Sequence, residues 1–307
     1  MTAVRVDAPA VQPLPGVPPS LLGESPVWLA DGGGMLWWCD IPGRQIECWS
    51  ATTRAHRRWA LPDEPGCIAP VPGGTWLVPM RDGLWHFDPA TGSRTALAEP
   101  PYDPTRERFN DGKCDAPGHL WVSTIYEPRD AAKAALYRWA DGRLDRVAGD
   151  ATVGNGLGFS PDGRTVYWAD TWSHRIDAFD VESGSGRLSN RRLFAGFPRK
   201  PADGDLSQYG GRPDGAAVDA EGCLWVAMFE GSRLLRLSPR GEVLRELRLP
   251  VRCPTMPCFG GADLRTLFVT TSREKRPPEE LHQQPLAGCV LMLAVDVPGL
   301  PVHYVRP

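Results

Sequence analysis

A turn glycine followed by an apolar, aromatic-rich run recurs along this 307-residue chain. Gly32 leads to Leu36-Trp37-Trp38, Gly73 to Trp76-Leu77-Val78 and Gly118 to Leu120-Trp121-Val122. Gly163 leads to Val166-Tyr167-Trp168 and Gly222 to Leu224-Trp225-Val226, while in a sixth copy Leu264 precedes Leu267-Phe268-Val269. The spacing is roughly 40 to 60 residues, the length of one supersecondary unit that buries its apolar face only by stacking on its neighbours. After each copy comes a short alternating strand, a turn rich in Asp, Gly, Pro and Ser, and another strand. Arg175-Ile176-Asp177-Ala178-Phe179-Asp180 before Glu182-Ser183-Gly184 is an example. Period-two alternation bounded by such turns means antiparallel hairpins. Six units of about four strands predict an all-β fold, a six-bladed β-propeller with a central channel.

The same pattern excludes other architectures. A TIM barrel needs helices between its strands, and no long amphipathic helix is present; Ala131 to Trp139 reads as a helical turn or two, or as a loop leading into a strand. A single domain is expected over residues 1–307. Within the extension 1–20, Ala3 to Val11 is expected to add a strand to the last blade and close the ring. Pro100 to Glu107 and Pro198 to Gly211 exceed the repeat, are rich in Pro and Gly, and each precede a copy. They are expected to rim one face of the disc.

Composition narrows the function classes. The 33 Gly and 32 Pro suit many short strands joined by turns, and the 12 Trp must be buried or line a pocket. The net charge of −3, without a run of Lys or Arg, argues against a nucleic-acid or membrane-surface partner. The eight Cys show no CxxC spacing, so they read as reduced thiols in a cytoplasmic protein. No apolar signal region and no 18-residue apolar run is seen.

Counting back eight residues from the turn position aligns a second feature. Gly32 gives Glu24, Gly118 gives Asn110, Gly163 gives Asn155 and Gly222 gives Asp214; the second and sixth copies give Pro65 and Met256. In a propeller the first strand of each blade lines the channel, so these side chains form a ring at one mouth. Asp or Asn in one copy reads as a turn residue; four oxygen-bearing side chains at one offset, a Glu among them, do not. Two nearby carboxylates repel unless a cation compensates, and an all-oxygen set suits a hard divalent ion. The six His are scattered singly, and none is assigned a catalytic role.

These residues also carry a resemblance. The matching stretches are LGESPVW from Leu22 to Trp28, RFNDGK from Arg108 to Lys113, and NGL from Asn155 to Leu157. Asp170-Thr171 leads to IDAFD ending at Asp180, PDG from Pro213 precedes DAEGCLW ending at Trp225, and CFGG starts at Cys258. In this order, from residue 22 to about 290, the chain resembles the SMP-30/gluconolactonase/regucalcin family of six-bladed propeller lactonases. The resemblance implies one divalent metal ion, with Ca²⁺, Mg²⁺, Mn²⁺, Zn²⁺ and Fe²⁺ as candidates, held by Glu24, Asn155 and Asp214. It implies substrate contacts from Arg108 and Asn110, and from an acidic residue after the third copy's strand, here Glu127. The loop from Ser123 to Pro128 and the pair Gly158-Phe159 depart from the family pattern.

The expected chemistry is hydrolysis of a sugar lactone to its open-chain acid by a monomer or small homo-oligomer. Asp214 is the candidate general base, because a carboxylate can bind metal with one oxygen and take a proton with the other. A calcium-binding regulatory propeller, a non-catalytic binding propeller, and an esterase or phosphotriesterase on the same metal site remain alternative readings.

Overall fold

Six antiparallel sheets form as the turn spacing requires. The computed structural model describes residues 4–202, 205, 206 and 208–306. The first blade runs Gly23–Leu29, Met35–Asp40, Gln45–Ser50 and His56–Ala60, in that order from the channel outward. The innermost strands of the next five are Ala69–Val71, Glu107–Cys114, Gly154–Phe159, Arg212–Val218 and Pro254–Gly260. Each blade is a meander, and the innermost strands pack beside one another around the channel. The protein is a six-bladed β-propeller. The stretch read as a helical turn or a loop enters a strand, Ala134–Ala140, and the one described α-helix is the short Pro278–Gln283.

Aromatic side chains of the second strands fill the space between blades. Trp38, Trp76, Trp121, Trp168 and Trp225 are fully buried. Truncating such a side chain to Ala typically costs about 3–5 kcal/mol. The indole N–H of two of them is satisfied within the blade: Trp225 donates to Asp219 and Trp121 to Asp115, both at 2.8 Å. Asp219 also accepts from the backbone of Glu221 and Cys223 and from Arg236, so one carboxylate ties turn, second strand and third strand together.

The N-terminal segment clasps two blades, and its pairing differs from the expectation for Ala3 to Val11. Gln12–Pro13 lies antiparallel beside Leu291–Ala294 and forms the outer strand of the last blade. Arg5–Asp7 pairs in parallel with Val243–Arg248 as a fifth strand of the preceding blade. Ala3 lies outside the described residues. The chain between them contains Pro9, and a proline cannot donate to a ladder.

The two long insertions pack on the blades at the end carrying Glu24, the first on an innermost strand and the second on the turn after a second strand. Tyr102 accepts from the Phe109 amide at 2.8 Å, and Tyr209 is bonded to His174 at 2.8 Å. Asp203, Gly204 and Ser207 of the second insertion lie outside the described residues. At the opposite end the C-terminal residues cross the disc, with Val305 donating to Pro70 and Arg306 to Gly118. They help enclose a cavity of about 540 Å³, lined by Trp28, Lys113, Phe159, Cys258 and His303 among others. Glu24, Asn110, Asn155 and Asp214 do not line that cavity; the oxygen ring belongs to the other mouth.

Candidate active site

Each ring residue sits at a kink in its strand. Register with the second strand slips between Glu24 and Val27, Phe109 and Gly112, Asn155 and Gly158, and Pro213 and Ala216. An extra residue in one strand bends it and re-aims side chains. Glu24 and Asn155 stand immediately before the slip; Asn110 and Asp214 lie within it. The residues after Glu24 and Asn155 are both left-handed, Ser25 at φ 50° and Gly156 at φ 58°. Ser25 is compensated by its hydroxyl, which accepts from the Ile68 amide at 3.0 Å. At Gly156 a Cβ would stand 2.8 Å from the Asp214 carbonyl, so only glycine lets the two strands approach.

The buried side chains Glu24, Asn155 and Asp214 converge. Asn155 Nδ2 donates to Asp214 Oδ1 at 2.5 Å and to Thr171 Oγ1 at 3.1 Å. The Thr171 hydroxyl donates onward to the Pro213 carbonyl at 2.7 Å, so it must accept from Asn155. Two acceptors thus fix the amide and leave Asn155 Oδ1 buried with no hydrogen-bond partner among the described residues. Among the described residues Glu24 accepts only the Ser25 amide, at 3.2 Å. Burial, then the proximity of Asp214 and Asp111, pushes the Glu24 carboxyl well above its ordinary range. Burial and Asp111 do the same to Asp214, against the pull of Arg212 and the Asn155 bond.

An orphaned buried oxygen beside two carboxyls that resist ionisation is a donor set lacking positive charge. These residues fit a hard divalent cation. Asn110 differs from Asn155, since both ends of its amide are engaged: Nδ2 donates to the Gly154 carbonyl at 2.9 Å and Oδ1 accepts from Arg108 at 3.0 Å. The structure therefore divides the four-membered ring into three converging oxygen bearers and one whose amide already holds a partner at each end.

Arg108 is mostly buried, and also donates to the Phe109 carbonyl at 2.9 Å. Its ionic neighbour is Glu127, at 3.8 Å. Glu127 lies at the rim, where both its oxygens take Arg81, at 3.0 and 2.9 Å. Arg81 holds its carboxyl below the ordinary range.

Several residues here were not singled out from sequence. Asp111 is buried, accepts from the Leu157 amide at 2.9 Å and leaves Oδ1 unpartnered; burial raises its pKa to about 6. It was hidden by the Asn110-Asp111-Gly112 run, which reads as a turn. Thr171 orients the Asn155 amide. Arg212 stands two residues before Asp214, as Arg108 stands two before Asn110, and that repeated offset was the available signal.

A channel mouth with three converging oxygen side chains on a six-bladed propeller marks a candidate active site, and comparison with known proteins gives the family. The profile described as SMP-30/Gluconolactonase/LRE-like region matches residues 22–273, and the chain belongs to this family. It is 42% identical over 282 residues to a 6-deoxy-6-sulfogluconolactonase of Pseudomonas putida, covering 92% of this chain and 94% of that one. A regucalcin of Danio rerio is 34% identical over 288 residues, covering 92% and 94%. Among solved structures, a regucalcin of Agrobacterium tumefaciens, described as a calcium-binding protein, superposes with a TM-score of 0.90 at 27% identity. That match covers 99% of this chain and all of the other.

Proposed function

We propose that the protein is a divalent-metal-dependent lactonase that hydrolyses a sugar (aldono) lactone to the open-chain acid. The observation that carries this reading is the unpartnered Asn155 Oδ1 set between the Glu24 and Asp214 carboxyls. Glu24, Asn155 and Asp214 would hold the ion. A bound divalent cation supplies charge that offsets the two carboxylates and Lewis-acid polarisation of the lactone carbonyl.

The chain's own residues do the rest. Asp214 Oδ1 is engaged by Asn155, which leaves Oδ2 without a donor among the described residues. Oδ2 takes a proton from the attacking water as the water oxygen bonds to the carbonyl carbon. When the ring C–O bond breaks, the same proton passes to the departing ring oxygen. Arg108, Asn110 and Glu127 hydrogen-bond sugar hydroxyls; the Arg108–Asn110 bond pre-sets their geometry. The name of the Pseudomonas relative denotes a gluconolactone with a sulfonate on carbon 6, and that lactone is included in the proposed substrate class.

The test is a panel of aldonolactones assayed after chelation and again with each divalent ion. Hydrolysis restored by an ion, with anomalous scattering from Mn²⁺ between Glu24, Asn155 and Asp214 in soaked crystals, is the expected result. No turnover with any ion, or a peak elsewhere, would refute the assignment.

A further inference from the structure

Among the described residues the cations at the mouth share their carboxylate partners unevenly. Arg81 is matched by Glu64 and Glu127. Glu230, by contrast, is shared by three cations: Lys200 at 2.9 Å, Arg276 at 3.1 Å and Arg212 at 3.4 Å. Arg276 has a second partner in Glu280, but the contact with Arg212 is the longest of the three. Arg212 Nε is buried and has no hydrogen-bond partner among the described residues. Its guanidinium rests on the Phe229 ring at 5.2 Å, two residues upstream of Asp214.

Arg129 is the second unmatched cation. It is exposed at a left-handed turn, φ 58°, two residues beyond Glu127. Its guanidinium makes no hydrogen bond or ion pair with the described residues. It lies over the Trp172 ring at 5.5 Å, and Trp172 is 41% exposed, unlike most of the chain's tryptophans. Stacking holds a guanidinium flat while leaving its N–H edge free to meet an oxyanion. Trp172 follows Thr171, the residue that orients the Asn155 amide, so this stack borders the oxygen cluster. Desolvation first, and then the charges of Arg212 and Arg108, lower the Arg129 pKa, against the weaker opposing pull of Glu127 and Glu274. Positive charges held together against their repulsion, with donors left open, form a seat for an anion.

We propose that Arg129 and Arg212, with the face of Trp172, form a specificity subsite for a sulfonate or phosphate carried by the lactone at the end distal from its ring carbonyl. The subsite deepens the lactonase reading and rests on it for the identity of the bound sugar; its affinity for an anion stands independently. Glu24 and Asp214 grip the reacting end through the cation, and the arginines grip the opposite end. A neutral aldonolactone fills only the first half of the site.

The test pairs turnover with binding. Wild type, Arg129→Gln and Arg212→Gln are assayed on gluconolactone, 6-phosphogluconolactone and 6-deoxy-6-sulfogluconolactone with the divalent ion present. Binding of gluconate and 6-phosphogluconate is measured by calorimetry at low and high salt. The wild type is expected to favour an anionic lactone over the neutral one in kcat/KM. Loss of one charge-assisted contact in either variant should cut that preference about 10- to 100-fold, mainly through KM. The larger of the two preferences names the anion. Arg212→Gln also disturbs the Glu230 cluster; Arg129→Gln breaks no ion pair among the described residues and reads the subsite even if the other variant fails to fold.

If gluconolactone is hydrolysed but Arg129→Gln leaves both anionic preferences unchanged, the subsite is overturned and the lactonase reading survives. If no lactone is hydrolysed, yet 6-phosphogluconate binds at least 10-fold tighter than gluconate and Arg129→Gln removes the difference, the subsite stands and the lactonase reading falls. Equal binding of the two acids by the wild type at low salt overturns the subsite.

Discussion

Asp214→Asn is expected to make the metal-free protein more stable and the metal-loaded protein less so. The substitution keeps size and an acceptor oxygen for the Asn155 Nδ2 bond, and removes a buried carboxyl that burial and Asp111 already oppose ionising. The folded-state pKa of Asp214 lies above its unfolded value, so the folded protein binds this proton more tightly. The stability it confers is full below the unfolded pKa and is lost as pH rises through the folded pKa, so against a non-ionising amide the carboxyl is a net disadvantage at high pH. Each pH unit between the two values is worth about 1.4 kcal/mol. Asp111 gives the scale: raised from 3.8 to about 6, it corresponds to ~3 kcal/mol. Spread over the unfolding entropy of 307 residues at about 2.1 cal/mol/K each, every 1.4 kcal/mol is a Tm difference of about 2 °C. Relief of Glu24, which Asp214 also pushes upward, adds to it.

The assay is thermal unfolding of both proteins in chelator at pH 8, at pH 3.5, and with saturating divalent ion at pH 8. The variant should melt above wild type in chelator at pH 8, and the gap should close at pH 3.5, where both carry a neutral group. With ion at about 1,000 times its Kd, wild type gains ~4 kcal/mol, or about 6 °C, and the order reverses. Turnover of the variant should fall about 10²- to 10⁴-fold. A variant that melts below wild type in chelator at pH 8 would show the Asp214 carboxylate to be satisfied without a cation, and would refute the charge-deficient reading of the cluster.

Further outcomes follow from the same geometry. Asn155→Ala should weaken metal binding first, seen as a right-shifted ion titration, with activity partly restored by excess ion. Arg108→Ala should raise KM while the ion stays bound, because the bonds it loses are to Asn110 and the Phe109 carbonyl and not to the oxygen cluster. Asp219→Ala, far from the mouth, should lower Tm by about 5–8 °C in calorimetry. Removing one partner of a buried charged pair costs about 3–5 kcal/mol, and here the Trp225 N–H is stranded while Arg236 keeps only Glu221.

The blades were legible because their signals are local. A turn glycine, an aromatic strand and an alternating hairpin each lie within a dozen residues, and the tryptophans that mark the second strands are the ones found wholly buried. The constant offset of Glu24, Asn155 and Asp214 was legible for the same reason. The division between Asn155 and Asn110 was not, since it depends on the Thr171 hydroxyl that one amide meets in its own blade and the Gly154 carbonyl that the other meets in the next. Asp111 and Arg129 were invisible as site residues because a turn and a surface loop account for them locally. The N-terminal pairing was misplaced by a few residues because a two-residue strand carries almost no periodic signal.

The clasp formed by that short strand sets an order of assembly. The first four blades are each built from one unbroken stretch of chain, so their hairpins can close as soon as the residues are synthesised. The last sheet has no such independence. Its outer strand, Gln12–Pro13, faces Leu291–Ala294, and Gln12 lies opposite Met292, 280 positions later. Until that strand docks, the disc is a curved stack with an exposed sheet edge at its trailing end. Closing so long a loop is the slow, entropy-limited kind of contact. The oxygen cluster draws on the first, fourth and fifth blades, so its three side chains reach their final spacing only when the ring shuts. In this architecture the assembly of the site and the last step of folding are one event.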